Sequence, residues 1–155
     1  MNNLKRIALL TAFCSFLIAC ADSGADKQKS VQPAPATTAA EQACMDSIIA
    51  FDSRVGTIRN HACEKQSLSK TITEYTEALE NADFAACPVA FKNAFLKHIQ
   101  AWRNALAVTD KYPELRGEMH DLFNKIESSD DGPVFKTLVA DIWATWADIE
   151  KVMKS

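Results

Sequence analysis

The side chains best suited to chemistry in this chain of 155 residues are three histidines and five cysteines. His61, Cys63 and Glu64 form a short run in which an imidazole, a thiol and a carboxylate could ligate one metal ion. A structural zinc site needs four ligands, usually supplied as two spaced pairs, and the sequence has no second pair to match this one. The commoner interpretation of such a run is a polar helix end with a buried thiol.

His98 lies within an apolar stripe, one helical turn before Trp102. Helical bundles can hold haem or a metal with inward-facing histidines, although a hydrogen-bonded core histidine is far commoner. Asp52 is a candidate partner for such a histidine. Because the chain has no CxxCH motif, covalent c-type haem is disfavoured. We predict no cofactor, and we keep His98, His61 and Cys63 as the candidate ligands of an alternative metal- or haem-binding function.

The sequence contains no motif typical of a catalytic site. GxSxG, HExxH, P-loop and EF-hand patterns are all missing from it. Pairs of acidic residues such as Glu74/Glu77 and Asp130/Asp131 fall on polar helix faces or in a loop, without a neighbouring nucleophile. We interpret these pairs as solvated surface and predict a non-catalytic protein.

The N-terminus has the pattern of a secretory signal peptide. Lys5 and Arg6 precede an apolar run over residues 7–18, and small residues follow that run. As a helix the run spans about 18 Å, which is less than the hydrocarbon core of about 30 Å. The sequence therefore predicts an exported chain whose first 19 residues are removed.

The segment Leu17-Ile18-Ala19-Cys20 resembles the lipobox of bacterial lipoprotein precursors. The resemblance covers only residues 1–20 and implies cleavage before Cys20. It also implies a thioether-linked diacylglycerol on Cys20 and an acyl chain, such as palmitate, on the new amino group. Several acyl chains hold a protein at a membrane without any spanning helix. The alternative is an ordinary signal peptide, cut near Ala19 or Ala21, with Cys20 unmodified.

The residue after Cys20 bears on the destination. In Gram-negative sorting rules an aspartate directly after the lipidated cysteine favours the inner membrane. Here Ala21 occupies that position and Asp22 follows. The resemblance therefore implies anchoring in the outer membrane, facing the periplasm.

Residues 20–40 are predicted to be a flexible tether, and residues 41–155 a folded domain. The tether carries Pro33 and Pro35, has no aromatic residue and has almost no β-branched aliphatic residue, so little in it can offset the entropy cost of ordering. In the domain, apolar residues recur at intervals of three and four. We predict an all-α fold, an up-down bundle of four to five helices.

The predicted helices cover roughly 41–61, 67–81, 88–111, a segment after Pro113, and 133–153. One long bent helix through Cys63 is an alternative for the first two. Ile58 falls on the predicted apolar stripe of the first helix. Trp143 falls slightly off the stripe of the last helix, which favours a surface patch used by a partner.

Three cysteines remain in the domain, and an exported domain favours a disulfide. If the first two helices are antiparallel, Cys87 returns to the level of Cys44, while Cys63 lies about 20 Å away along the axis. A disulfide needs Cα atoms within about 7 Å, so Cys44–Cys87 is the predicted bridge. If the two helices are continuous, Cys63–Cys87 becomes a rival.

The charge of the domain limits its partners. Residues 41–155 carry thirteen Lys or Arg and eighteen Asp or Glu, a net charge of −5. Nucleic-acid binding needs clustered basic residues, so we predict no nucleic-acid partner. We expect a membrane-anchored envelope protein with a binding or structural role. An alternative is an inhibitor or accessory subunit whose acidic surface meets a basic envelope protein.

Overall fold

The computed structural model describes residues 37–155, so the predicted signal peptide and Cys20 lie outside the described part of the chain. Residues 37–155 form six helices and no strand. These are α1 (Ala39–Ala62), α2 (Leu68–Glu80), α3 (Val89–Asn104), α4 (Leu106–Thr109), α5 (Met119–Glu127) and α6 (Gly132–Met153). Since α4 is a single turn, the predicted all-α bundle of four to five helices is confirmed. None of the helices described is both long enough and apolar enough to cross a membrane.

The starts of the first two helices are set by side-chain caps. Thr38 and Glu41 form a capping box, with the Glu41 amide 3.2 Å from Thr38 Oγ1, so α1 begins two residues before the predicted domain boundary at residue 41. Ser67 accepts a hydrogen bond from the Lys70 amide at the start of α2. The two helices are therefore separate, and the alternative of one continuous helix through Cys63 is wrong.

The predicted third helix, over 88–111, is correct as far as Asn104 and wrong beyond it. Pro88 is the N-cap of α3, and the helix is interrupted at Ala105. The Ala105 amide bonds to the Trp102 carbonyl oxygen at 3.1 Å, and Val108 bonds to Ala105 in the same short-range way. Bonds of this i→i+3 type tighten the turn and end regular α-helix there. The next helix, α5, starts at Met119 and not directly after Pro113. It is capped by Glu118, whose carboxylate accepts hydrogen bonds from the amides of His120 and Asp121.

The helices pack unevenly around the core. The central pair is α3 and α6; α2 packs against α3, α5 packs against α6, and α1 packs mainly against α2. The largest fully buried side chains come from α2, α3, α5 and α6 and include Phe91, Phe95, Phe135, Leu68, Ile72, Leu79, Leu122, Ile126 and Ile149. Because α1 is supported chiefly by α2, space remains between α1 and the α5–α6 pair.

One disulfide ties the start of α1 to the turn before α3. It joins Cys44 to Cys87, whose Cα atoms are 5.2 Å apart, in agreement with the predicted pairing. The rival pairing of Cys63 with Cys87 is wrong, because Cys63 is a buried free thiol beyond the far end of α1. Antiparallel packing of α1 and α2 brings the two bonded cysteines to the same end of the bundle.

Candidate binding site

His98 lies on α3 and is almost fully buried, with 4% of its surface exposed. Its Nδ1 is 3.0 Å from the Thr145 hydroxyl oxygen, and its Nε2 is 3.1 Å from the indole nitrogen of Trp102. Because an indole N–H can only donate, Nε2 accepts, and the imidazole proton is on Nδ1. The predicted partnership of His98 with Asp52 is wrong, since the Asp52 carboxylate accepts from Tyr75 on the neighbouring helix.

The His98 ring is neutral and fully used in hydrogen bonding. Burial lowers its pKa to about 4, and the positive charge of Arg59 acts in the same direction. Both ring nitrogens already have partners, so neither is open to a metal in this arrangement. What His98 does is hold the indole of Trp102 in a fixed orientation.

Arg59 of α1 lies between two aromatic rings. Its guanidinium carbon is 4.4 Å from the ring centre of Tyr75 and 4.1 Å from that of Trp102, well inside cation–π range. Its Nε and Nη2 both point to Oδ1 of Asn60, each at 3.3 Å. Burial lowers the pKa of Arg59, opposed by the nearby Tyr75 and Asp52, but an arginine remains a cation at neutral pH. Among residues 37–155, Arg59 forms no salt bridge.

Asp52 and Tyr75 connect α1 to α2 beside this stacked cation. The Tyr75 hydroxyl donates to Asp52 Oδ1 at 2.5 Å. Burial raises the pKa of Asp52, with the Tyr75 hydrogen bond and the charge of Arg59 opposing the change. Burial and the Asp52 carboxylate raise the pKa of the Tyr75 phenol. The charge of Arg59 thus compensates in part for a carboxylate held away from water.

Two adjoining hollows meet at these residues. The first, the aromatic cleft, has a volume of about 170 Å³ and is lined by Asp52, Arg59, Tyr75, His98, Trp102, Ile142, Trp143 and Trp146. The second, the apolar cavity, has a volume of about 340 Å³ and is lined by Arg59, Asn60, Trp102, Met119, His120, Phe123, Asn124, Glu127, Val139 and Trp143. Arg59, Trp102 and Trp143 line both. Trp143 is 65% exposed, in agreement with its predicted surface position.

The other candidate ligands do not converge. His61 is exposed, with its Nδ1 4.0 Å from a Glu64 oxygen, whereas Cys63 is buried and its thiol donates to the Arg59 carbonyl oxygen at 3.3 Å. Burial raises the pKa of the Cys63 thiol, which disfavours the thiolate that binds metals. Within residues 37–155, no three His, Cys, Asp or Glu side chains are grouped to hold a metal ion.

Sequence reasoning found the aromatic residues of the site but missed its cation. Trp102 was placed on an apolar stripe with His98, and Trp143 was placed slightly off the stripe of the last helix. Arg59 lies directly after Ile58, at the edge of such a stripe, and an arginine there normally extends into solvent. Its stacking depends on rings from two other helices, for which the local sequence carries no signal.

We compared the chain with protein-family models, curated proteins and solved structures, and none of the three comparisons gave a match.

Proposed function

We propose that this chain is a lipid-anchored protein of the bacterial envelope whose helical domain binds a small ligand without transforming it. The anchor is the one implied at Cys20 by the lipobox resemblance, with the outer membrane as its destination. The ligand site comprises the aromatic cleft and the apolar cavity.

The exposure of Trp143 is the observation that carries this proposal. An indole that is 65% exposed leaves a large apolar surface in water, and this one lies where the two hollows meet. Small-molecule sites are concave, mostly apolar and typically about 300 to 1,000 Å³ in volume, with a few polar groups that orient the ligand. The apolar cavity, at about 340 Å³, has that size and composition.

The two candidate bases of the aromatic cleft, His98 and Asp52, are placed for binding rather than for catalysis. A general base must be within hydrogen-bond reach of the proton it removes and must have a lone pair to offer. The Nε2 lone pair of His98 is engaged by Trp102, and the Asp52 carboxylate is engaged by Tyr75. Both groups serve to position the walls of the cleft.

The test is a fragment screen read out on the tryptophan side chains of the full chain. Indole ¹H–¹⁵N signals of Trp102 and Trp143 are expected to shift on addition of small aromatic compounds. Trp143→Ala is expected to weaken binding of the same compounds by about tenfold or more, because it removes a large contact surface. Val89→Ala is the matched control, since Val89 is 74% exposed on α3 and lines neither hollow. Equal binding by Trp143→Ala and the native chain would contradict the proposal.

A protein partner is a second candidate, favoured by a second exposed apolar side chain. Ile58 is 61% exposed on α1, so its predicted place in the core is wrong, and it lines a further hollow that also includes Arg59. In this second candidate function, Ile58 and Trp143 form the centre of the interface, and the net charge of −5 on residues 41–155 favours a basic partner. Cross-linking in intact envelopes, followed by salt-sensitive co-purification that Trp143→Ala abolishes, would support this candidate.

A further inference from the structure

We infer that the ligand is an aromatic monocarboxylate. Its carboxylate binds Nε and Nη2 of Arg59, and its rings lie in the apolar cavity against Trp102 and Trp143. This inference rests on the proposed function and adds the chemical class of the ligand.

The edge of the Arg59 guanidinium is available for such a carboxylate. Nε and Nη2 form one side of the planar fork, and both are directed to a single neutral oxygen, Oδ1 of Asn60, at 3.3 Å. Charge-assisted bonds from arginine to a carboxylate are shorter, about 2.7 to 2.9 Å, and about twice as strong as neutral ones. Asn60 is an exposed neighbour that also lines the apolar cavity, so its side chain can turn away and leave this edge to a ligand.

The charges around the cavity favour a ligand with one negative charge. Of the described residues, Arg59 is the only arginine or lysine that lines either hollow. Glu127 lines the apolar cavity and Asp52 lines the aromatic cleft, and both carboxylates would repel a second negative charge on the ligand. A phosphate monoester carries between about 1.5 and 2 negative charges at pH 7, and is therefore a poorer fit than a carboxylate.

The size and walls of the apolar cavity favour aromatic rings. A dry cavity of about 150 Å³ in another protein accommodates one benzene ring, and the apolar cavity here has about 340 Å³. Phe123, Met119 and Val139 form its walls together with the indoles of Trp102 and Trp143. Aromatic pairs gain stabilisation beyond the area they bury, so flat rings suit these walls better than a branched aliphatic group.

The test uses three compounds that share the naphthyl ring and carry different polar groups at its 1-position. The full chain in lipid nanodiscs is titrated calorimetrically with 1-naphthaleneacetate, 1-naphthaleneacetamide and 1-naphthyl phosphate, and empty nanodiscs correct for partitioning. The carboxylate is expected to bind at least about tenfold more tightly than the amide, because only the carboxylate forms charge-assisted bonds to Arg59. It is also expected to bind more tightly than the phosphate.

Variants then assign this preference to Arg59. Arg59→Gln is expected to bring the affinities for carboxylate and amide within about twofold of each other. Arg54→Gln is the matched control, because Arg54 lies on the same helix over the Phe51 ring and lines neither hollow, and it should keep the full preference. Comparing the carboxylate affinity with the amide affinity of the same variant separates recognition of the carboxylate from any loss of stability in Arg59→Gln. Asn60→Ala should bind the carboxylate equally well or more tightly.

The outcomes separate the two proposals. Similar binding of carboxylate and amide by the native chain would overturn the inference, while the proposed binding function would stand if Trp143→Ala weakens both. Tighter binding of the phosphate, or a preference that survives in Arg59→Gln, would also overturn it. Weaker carboxylate binding by Asn60→Ala would contradict the role given to that edge of Arg59. If none of the three compounds binds, the inference fails, and the fragment screen decides the proposed function separately.

Discussion

A chain of three side chains, Thr145, His98 and Trp102, connects α6 to the indole that stacks on Arg59. Thr145 donates its hydroxyl proton to a backbone carbonyl one turn earlier and accepts from His98, which accepts in turn from Trp102. Each member has one orientation that satisfies its neighbours. Protonation of Nε2 would place two donors face to face at the His98–Trp102 contact.

This arrangement predicts a loss of stability in acid that originates at His98. Its pKa is about 4 in the folded chain, against an ordinary value of 6.5, so the unfolded chain binds the proton first. The folded state therefore loses stability as the pH falls from about 6.5 towards 4, by about 2 kcal/mol between pH 7 and pH 5. His98→Gln keeps an acceptor for Trp102 but does not titrate. Urea unfolding at both pH values should show the native chain losing about 2 kcal/mol more than this variant.

Asp52 titrates in both proteins, so its contribution cancels in that comparison. Protonation of Asp52, whose pKa is raised by burial, favours the folded state as the pH falls and would partly mask the effect in the native chain alone. If the free energy of unfolding changes equally with pH in the native chain and in His98→Gln, the neutral, buried state of this histidine is contradicted.

How far the site could be predicted from sequence differs from residue to residue. The burial of His98 followed from its place on the stripe of α3. Its partner did not, because Asp52 and Thr145 are both polar residues on neighbouring helices, and only the relative rotation of those helices decides between them. Arg59 was missed for the same reason, since both rings that hold it lie on other helices.

At the scale of the helices, the connection between α5 and α6 depends on a glycine. A Cβ atom on Gly132 would lie 2.1 Å from the Glu127 carbonyl oxygen, closer than any real contact, so the backbone of α5 would have to move. Gly56 in α1 differs, because the nearest atom to an added Cβ is Nη2 of Arg59 at 3.8 Å. The two glycines therefore make a matched pair.

Alanine at these two positions should change stability in opposite directions. Gly132→Ala is expected to lower the free energy of unfolding by about 1 to 3 kcal/mol through steric strain. Gly56→Ala is expected to raise it by up to about 1 kcal/mol, because alanine is the better helix former. Urea denaturation of both variants measures the difference. If Gly132→Ala has the same free energy of unfolding as the native chain, the α5–α6 turn can relax without cost.

The disulfide provides a second prediction about the helices. It closes a loop across 43 positions of sequence and fixes the start of α1, a helix that packs mainly against α2. Replacing both Cys44 and Cys87 by serine should lower the free energy of unfolding by about 2 to 4 kcal/mol. Cys63→Ser is the control for a lost thiol. If the double variant is as stable as the native chain under oxidising conditions, the bridge does not contribute in the way predicted.

The helices themselves were predictable where the hydrophobic period agrees with a start signal, as in α2, which Ser67 caps, and in α6, whose first turn contains Pro133. The end of α3 was not, because the apolar period continues through Leu106 and Thr109 while the hydrogen bonds change at Ala105. Ile58 was assigned to the core because it continues the stripe of α1. That stripe is covered only as far as α2 reaches, and this depends on packing that periodicity does not encode.

At the scale of the whole molecule, the tether predicted between Cys20 and the cap of α1 at Thr38 would determine where the proposed binding site can act. If that segment is a flexible coil of about eighteen residues, its root-mean-square span is about 20 to 25 Å, enough to lift a small domain clear of lipid headgroups. The net charge of −5 on residues 41–155 also keeps the domain away from an anionic membrane surface. Only the acyl chains proposed at Cys20 would then hold the protein at the membrane, and the ligand site would remain open to the aqueous phase.

The anchor is tested by the mass and the location of the protein made in a Gram-negative host. The native chain should begin at Cys20, carry the mass of a diacylglycerol and an acyl group, and fractionate with the outer membrane. Cys20→Ala should lack the lipid mass, since it removes the thiol that forms the thioether. Ala21→Asp should keep the lipid but shift the protein towards the inner membrane, and Val31→Asp in the tether is the control for added charge. A native chain that begins near Ala21 without lipid would instead indicate an ordinary signal peptide and a domain released into the periplasm.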